Sequence, residues 1–134
     1  MKTYFENLAS DIKLPLLYAR PSLANVKLDD LELSDFNQDG LLLIVSPIYT
    51  SGLPIENYGR VKRLFEISVV AMHDLDFNDS DVDDKLDLCE EYLLSIIKKM
   101  NVDVQSANQF VSKFDINLCG VYANVFFTNK NKIC

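Results

Sequence analysis

Nucleophilic chemistry would have to come from His73 and the three cysteines, Cys89, Cys119 and Cys134. A thiolate–imidazole pair needs the fold to bring Cys89 or Cys119 to His73, the one histidine, and to stabilise the thiolate there. Cys89 falls on the apolar stripe of a predicted helix. Cys119 shares a strand face with Val121 and Val125, so both thiols are expected in the core, where such groups are inert. Three cysteines without C-x-x-C spacing predict neither a disulfide framework nor a zinc site, and fit a reducing, cytoplasmic compartment. No catalytic set and no cofactor are expected.

Metal chemistry has one candidate. Asp35-x-Asn37-x-Asp39-Gly40 reproduces positions 1, 3, 5 and 6 of an EF-hand loop, where alternate oxygens face calcium and glycine permits the turn. Position 12, which needs a bidentate Glu, is Ser46, and Pro47 forbids an exiting helix. The competing reading is an Asx-rich turn that launches a strand. A second run, Asp74-x-Asp76-x-Asn78, fails outright, with Asp79 where glycine belongs and Lys85 at position 12.

Charge is concentrated. The chain of 134 residues carries a formal −7, yet residues 74–91 alone hold nine acids (Asp74, Asp76, Asp79, Asp81, Asp83, Asp84, Asp87, Glu90 and Glu91) against Lys85, leaving +1 for the rest. Part of this block is explained by the positive end of a helix dipole, and the remainder suits a surface that repels phosphate or docks a basic partner. This argues against a general nucleic-acid binder, whose affinity comes from basic groups that displace counterions, and leaves room for a basic face elsewhere. Arg60, Lys62 and Arg63 cluster, but on an ideal strand Arg63 faces away from the other two.

The elements that must position these groups follow from periodicity. At 15.3 kDa, with 49% hydrophobic and 25% charged residues, the chain is expected to be one domain spanning residues 1–134. No apolar run approaches a membrane span, and Lys2, Glu6 and Asp11 argue against a secretory leader. Tyr4, Phe5, Leu8 and Ile12 predict a helix over 3–13, stopped by Pro15. Residues 16–34 stay unassigned. A strand is expected at 41–49, a loop at 50–59 and a long strand at 60–73 with Val61, Phe65, Ile67, Val69 and Ala71 on one face. Val82, Leu86, Cys89, Leu93, Ile96 and Met100 predict a helix over 80–100, and two strands close the chain at 108–114 and 116–128. The expected class is α+β: an antiparallel or mixed four-stranded sheet with an N-terminal and a central helix packed on it.

Over residues 40–128 this order resembles that of bacteriophage tail-terminator, tail-completion and neck ring proteins. The stretch 60–73 looks like their long strand and 80–100 like the helix that follows. The stretch 115–127 is similar to the D-x-N-L-x-G-x-x-x-x-V-x-F pattern at their C-terminal end. The resemblance implies a structural virion subunit, made in the host cytoplasm, that forms a homo-oligomeric ring at the head–tail connector or tail end. It would dock on adjacent neck or tail proteins and pass DNA through its lumen without binding it specifically.

On that reading Leu53, Ile55 and Tyr58, which lack an evident core, are expected to contact a neighbouring subunit, with Arg60, Lys62 or Arg63 reaching acids of the 74–91 block. Asp74, Asp76, Asp79, Asp81, Asp83 and Asp84 are the expected acidic surface or lumen lining. The alternative is a small acidic adaptor domain that engages a basic protein.

Overall fold

A computed structural model describes residues 2–19, 36–38, 40–51, 62–72, 79–111 and 118–128. Its elements in chain order are α1 (Lys2–Ile12), β1 (Leu16–Tyr18), β2 (Leu41–Ser51), β3 (Lys62–Met72), α2 (Asp79–Met100), β4 (Asp103–Val111) and β5 (Leu118–Thr128). They form a mixed five-stranded sheet in the order β1-β2-β3-β5-β4, parallel only between β1 and β2. The class is the α+β expected, with one strand more.

Both helices lie on the same face. α1 buries Phe5, Leu8 and Ala9, and Phe5 sits against Phe65 with ring centroids 5.0 Å apart. α2 buries Val82, Leu86, Cys89, Leu93, Ile96 and Met100, the stripe its 3.6-residue period dictates. These side chains join Leu41, Leu43 and Val45 of β2, Phe65, Ile67, Val69 and Ala71 of β3, and Cys119, Val121, Ala123 and Val125 of β5 in one core. The period-2 face expected for β3 is thus the face under the helices. Val61 lies outside the described residues.

The helix ends are closed by residues in the left-handed region. Lys13 (φ 60°) ends α1: its N–H donates to the Ser10 carbonyl at 3.2 Å and that of Leu14 to the Ala9 carbonyl at 3.0 Å. This is a Schellman motif, and Leu14 and Ala9, the pair whose apolar contact usually accompanies it, are both buried in the main core. Asn101 (φ 52°) ends α2, its N–H donating to the Ile97 carbonyl at 2.9 Å.

Three expectations need correction. β1 falls in the stretch left unassigned, because three residues are too few to show a period; it is held by the parallel ladder, with the Leu43 N–H on the Pro15 carbonyl and the Ala19 N–H on that of Val45. β2 runs to Ser51, further than the expected end at residue 49. β4 begins at Asp103 and not at 108: as the outermost strand it lies beyond the helix layer, so Val104, Gln105, Ala107, Asn108 and Gln109 are exposed and no apolar alternation marks it. The expected junction near Asp115 lies outside the described residues.

The opposite sheet face is covered in part. Leu42, Ile44, Val70 and Leu118 cluster with Phe36, flanked by Leu17 and Phe110. The next rows turn polar: Ile44, Ser68, Tyr122 and Asn108 stand in register, then Ser46, Glu66, Asn124 and Ser106. The Asn124 amide donates to Ser106 Oγ at 3.1 Å. Among the described residues no buried polar side-chain atom lacks a hydrogen-bond partner, so Ser46 and Ser68 are buried without the cost of an orphaned hydroxyl.

Candidate functional site

Of the residues best suited to nucleophilic chemistry, the structure describes two. Cys89 on α2 and Cys119 on β5 are both fully buried in the main core. Burial pushes the Cys89 thiol up to about 12, with the nearby Cys119 adding to the shift and Lys85 opposing it. Burial raises Cys119 as well. Burial disfavours the thiolate at both positions, so the two cysteines pack as small apolar side chains. His73 and Cys134 lie outside the described residues.

The calcium candidate resolves into a turn at its one described ligand position. Asn37 Oδ1 accepts from the Leu41 N–H at 2.9 Å, the Asn37 N–H donates to the Leu41 carbonyl at 2.9 Å, and the Gly40 N–H donates to the Asn37 carbonyl at 2.9 Å. Gly40 has φ 77°, a conformation glycine adopts without steric cost. The Asn37 side chain therefore closes the turn that launches β2, the role an Asx residue takes locally. Asp35 and Asp39 lie outside the described residues, and among the described ones no cluster of His, Cys, Asp or Glu could hold a metal.

What the fold does organise is charge, at opposite ends of the sheet. β3 starts at Lys62 and Arg63 and ends at Met72, and α2 begins at Asp79, seven residues beyond that far end. α2 then returns: Met100 is three residues before Asp103, which pairs with Phe126, itself opposite Leu64. Twenty-two helical residues span about 33 Å, which matches an eleven-residue strand at about 3.3 Å per residue. The acidic start of α2 is thereby held a full strand length from Arg63, and Lys98 and Lys99 lie exposed at the Arg63 end.

The expected interface residues divide accordingly. Arg63 is half-buried opposite Thr50 and Phe127, and Lys62 is opposite Ser51 and Thr128. Leu53, Ile55, Tyr58 and Arg60 lie outside the described residues, on the chain between those paired ends. Of the expected acidic surface, Asp83 and Asp84 are exposed on α2, joined by Asp87, Glu90 and Glu91. Asp79 and Asp81 are in its first turn, and Asp74 and Asp76 lie outside the described residues. Among the described residues, Lys62, Arg63, Lys98 and Lys99 stand at the end of the sheet opposite the acidic start of α2, and Asp103 lies with them.

Two features of the sheet were not visible in the sequence. Beyond Ser46 the β2–β3 ladder slips between Pro47 and Tyr49, and Ile48 emerges 39% exposed. Gly120 is the other: a Cβ there would meet the Val69 carbonyl oxygen at 2.2 Å and Val70 Cα at 2.9 Å. The glycine inside the 115–127 pattern is a steric requirement of the β3–β5 contact. Among the described residues no helix is long and apolar enough to cross a membrane. No family model, curated protein or solved structure matches this chain.

Proposed function

We propose that the chain is a structural virion subunit that assembles head to tail into a ring, of the kind found at a phage head–tail connector or tail terminator, through which DNA passes. The observation that carries this reading is the separation of charge along the sheet. Arg63, Lys98 and Lys99 stand at one end of the described sheet, with Asp103 beside them, and exposed Asp83, Asp84 and Asp87 stand toward the other end, in the first half of α2. Two different, complementary ends make a heterologous contact, and such contacts form a ring when the rotation from one subunit to the next closes. The element order supports the same reading, since an N-terminal helix, a long strand pair, a central helix and a closing strand occur in the order the resemblance implies, with β1 and β4 in addition.

In this assembly the chain between Ser51 and Lys62 reaches the adjacent subunit, with Leu53, Ile55 and Tyr58 buried against it and the basic residues on the neighbour's acidic helix start. Acids of the 74–91 block that do not meet a neighbour would line the passage and keep DNA from adhering. The test is to purify the protein and examine it by light scattering and negative-stain electron microscopy, alone and with the products of adjacent genes. Closed rings are expected; no ring under either condition overturns the reading.

A second reading, an acidic adaptor that binds a basic protein, is favoured by one observation. Asp83, Asp84, Asp87, Glu90 and Glu91 are all exposed on α2, more carboxylates than the first turn's dipole accounts for. Salt-sensitive binding of a basic protein by the isolated monomer would support it.

A further inference from the structure

We infer that β4 is a self-pairing edge, at which two copies of this chain join their sheets antiparallel about Ala107. β4 ends the sheet, so one side of its backbone meets no further described strand. Natural edges are blunted by lysine, proline, inward charges or brevity. β4 has little of this protection. It is nine residues long, and residues 104–111 contain no charge, no proline and no glycine. Val104, Gln105, Ala107, Asn108 and Gln109 are exposed, Val104 by 42%. α2 covers β3 and β5 and leaves this strand open.

The occupant is argued from the order of residues along the strand. About Ala107 the strand is nearly symmetric in kind: Ala107 would face its own copy, Ser106 would face Asn108, and Gln105 would face Gln109. Centring one residue later would set Ser106 against Phe110 and Ala107 against Gln109, which matches neither size nor polarity. With no charge in this stretch, self-pairing places no like charges opposite each other, the usual penalty on joining identical strands. The ladder irregularity between Val104 and Ser106 limits the pairing at that end. A two-fold axis normal to the sheet keeps the helix layers of both copies on one side, so Ala107, which is in register with core-facing Ala123, meets its partner on the same face. This contact is isologous and independent of the head-to-tail ring.

The test uses the full chain with Cys134→Ser, to remove that thiol, and adds Ala107→Cys. Residues directly opposite in an antiparallel pair have Cα atoms about 4.5–5.5 Å apart, within the range a disulfide spans. Mild oxidation is therefore expected to convert this variant to a covalent dimer. Gln109→Cys should not cross-link, since its copy would lie four residues along, about 13 Å away. Ala107→Lys, which sets two ammonium groups face to face, should shift the wild-type dimer to monomer in sedimentation with an unchanged far-UV circular dichroism spectrum. A monomeric wild type, cross-linking at 109 but not 107, or no cross-link at 107 overturns the inference. Rings without a 107 cross-link defeat it and leave the ring reading standing. A 107-linked dimer that never forms rings does the reverse.

Discussion

Replacing Gly120 by Ala would add a single methyl group between the two inner strands β3 and β5, which pair over eleven positions, Gly120 lying opposite Val70. The new Cβ would lie 2.2 Å from the Val69 carbonyl oxygen, against at least 3.4 Å for ordinary contact, so the strands must part by about 1.2 Å at this point. The atoms in the way are backbone, which no rotamer change can relieve. Parting by that much takes ladder hydrogen bonds near 2.9 Å to beyond 3.5 Å, where they no longer count as such. Losing two or three at about 1 kcal/mol each, with about 1–3 kcal/mol for overpacking, gives a loss of roughly 3–6 kcal/mol. Against a total of about 5–15 kcal/mol this is severe. Urea unfolding followed by circular dichroism measures it directly. Gly40→Ala is the comparison, because nothing lies within 4 Å of its added Cβ and only φ 77° opposes it. That variant should lose about 1–2 kcal/mol. A Gly120→Ala loss under 1 kcal/mol would refute the steric argument and the β3–β5 register on which it rests.

Ile96→Ala should cost about 2–5 kcal/mol, because the side chain is fully buried, whereas half-exposed Leu94→Ala should stay within about 0.5 kcal/mol; equal thermal shifts would mean the wrong face of α2 is in the core. Asn37→Ala should cost about 0.5–2 kcal/mol by freeing the Leu41 N–H, and added calcium should leave the wild-type melting temperature unchanged; a calcium-dependent rise would return this turn to the metal candidates. The raised thiols fix a pH dependence. Folded Cys89 keeps its proton to about 12 while the unfolded thiol loses it near 9, so the stability is complete below pH 9 and falls as pH rises toward 12, by at most about 1.4 kcal/mol per pH unit from this group. Cys89→Ala should flatten that decline, as read from alkaline denaturation curves. Changing Leu53, Ile55 and Tyr58 together to Ser should leave the melting temperature unchanged and abolish ring formation; normal rings from this variant would place the contact elsewhere.

Sequence alone determined the elements that bury a continuous stripe. α2 was readable because Val82, Leu86, Cys89, Leu93, Ile96 and Met100 recur at its period, and the core side of β3 because Phe65, Ile67, Val69 and Ala71 alternate. The fates of Cys89 and Cys119 followed from those patterns, since a thiol on an apolar face goes where that face goes. Tertiary structure decided what depends on a neighbour distant in sequence. β1 exists because β2 offers it a ladder, not because three residues prefer to be extended. β4 carries no apolar signature because the sheet order puts it outside the helices, at the edge of the described strands. Gly120 looked like any other glycine until Val69 was placed across from it. The separation of Arg63 from the acids of α2 has the same origin. Charges follow composition, but the distance between them is set by a strand and a returning helix of equal length, and a local pattern does not encode that distance.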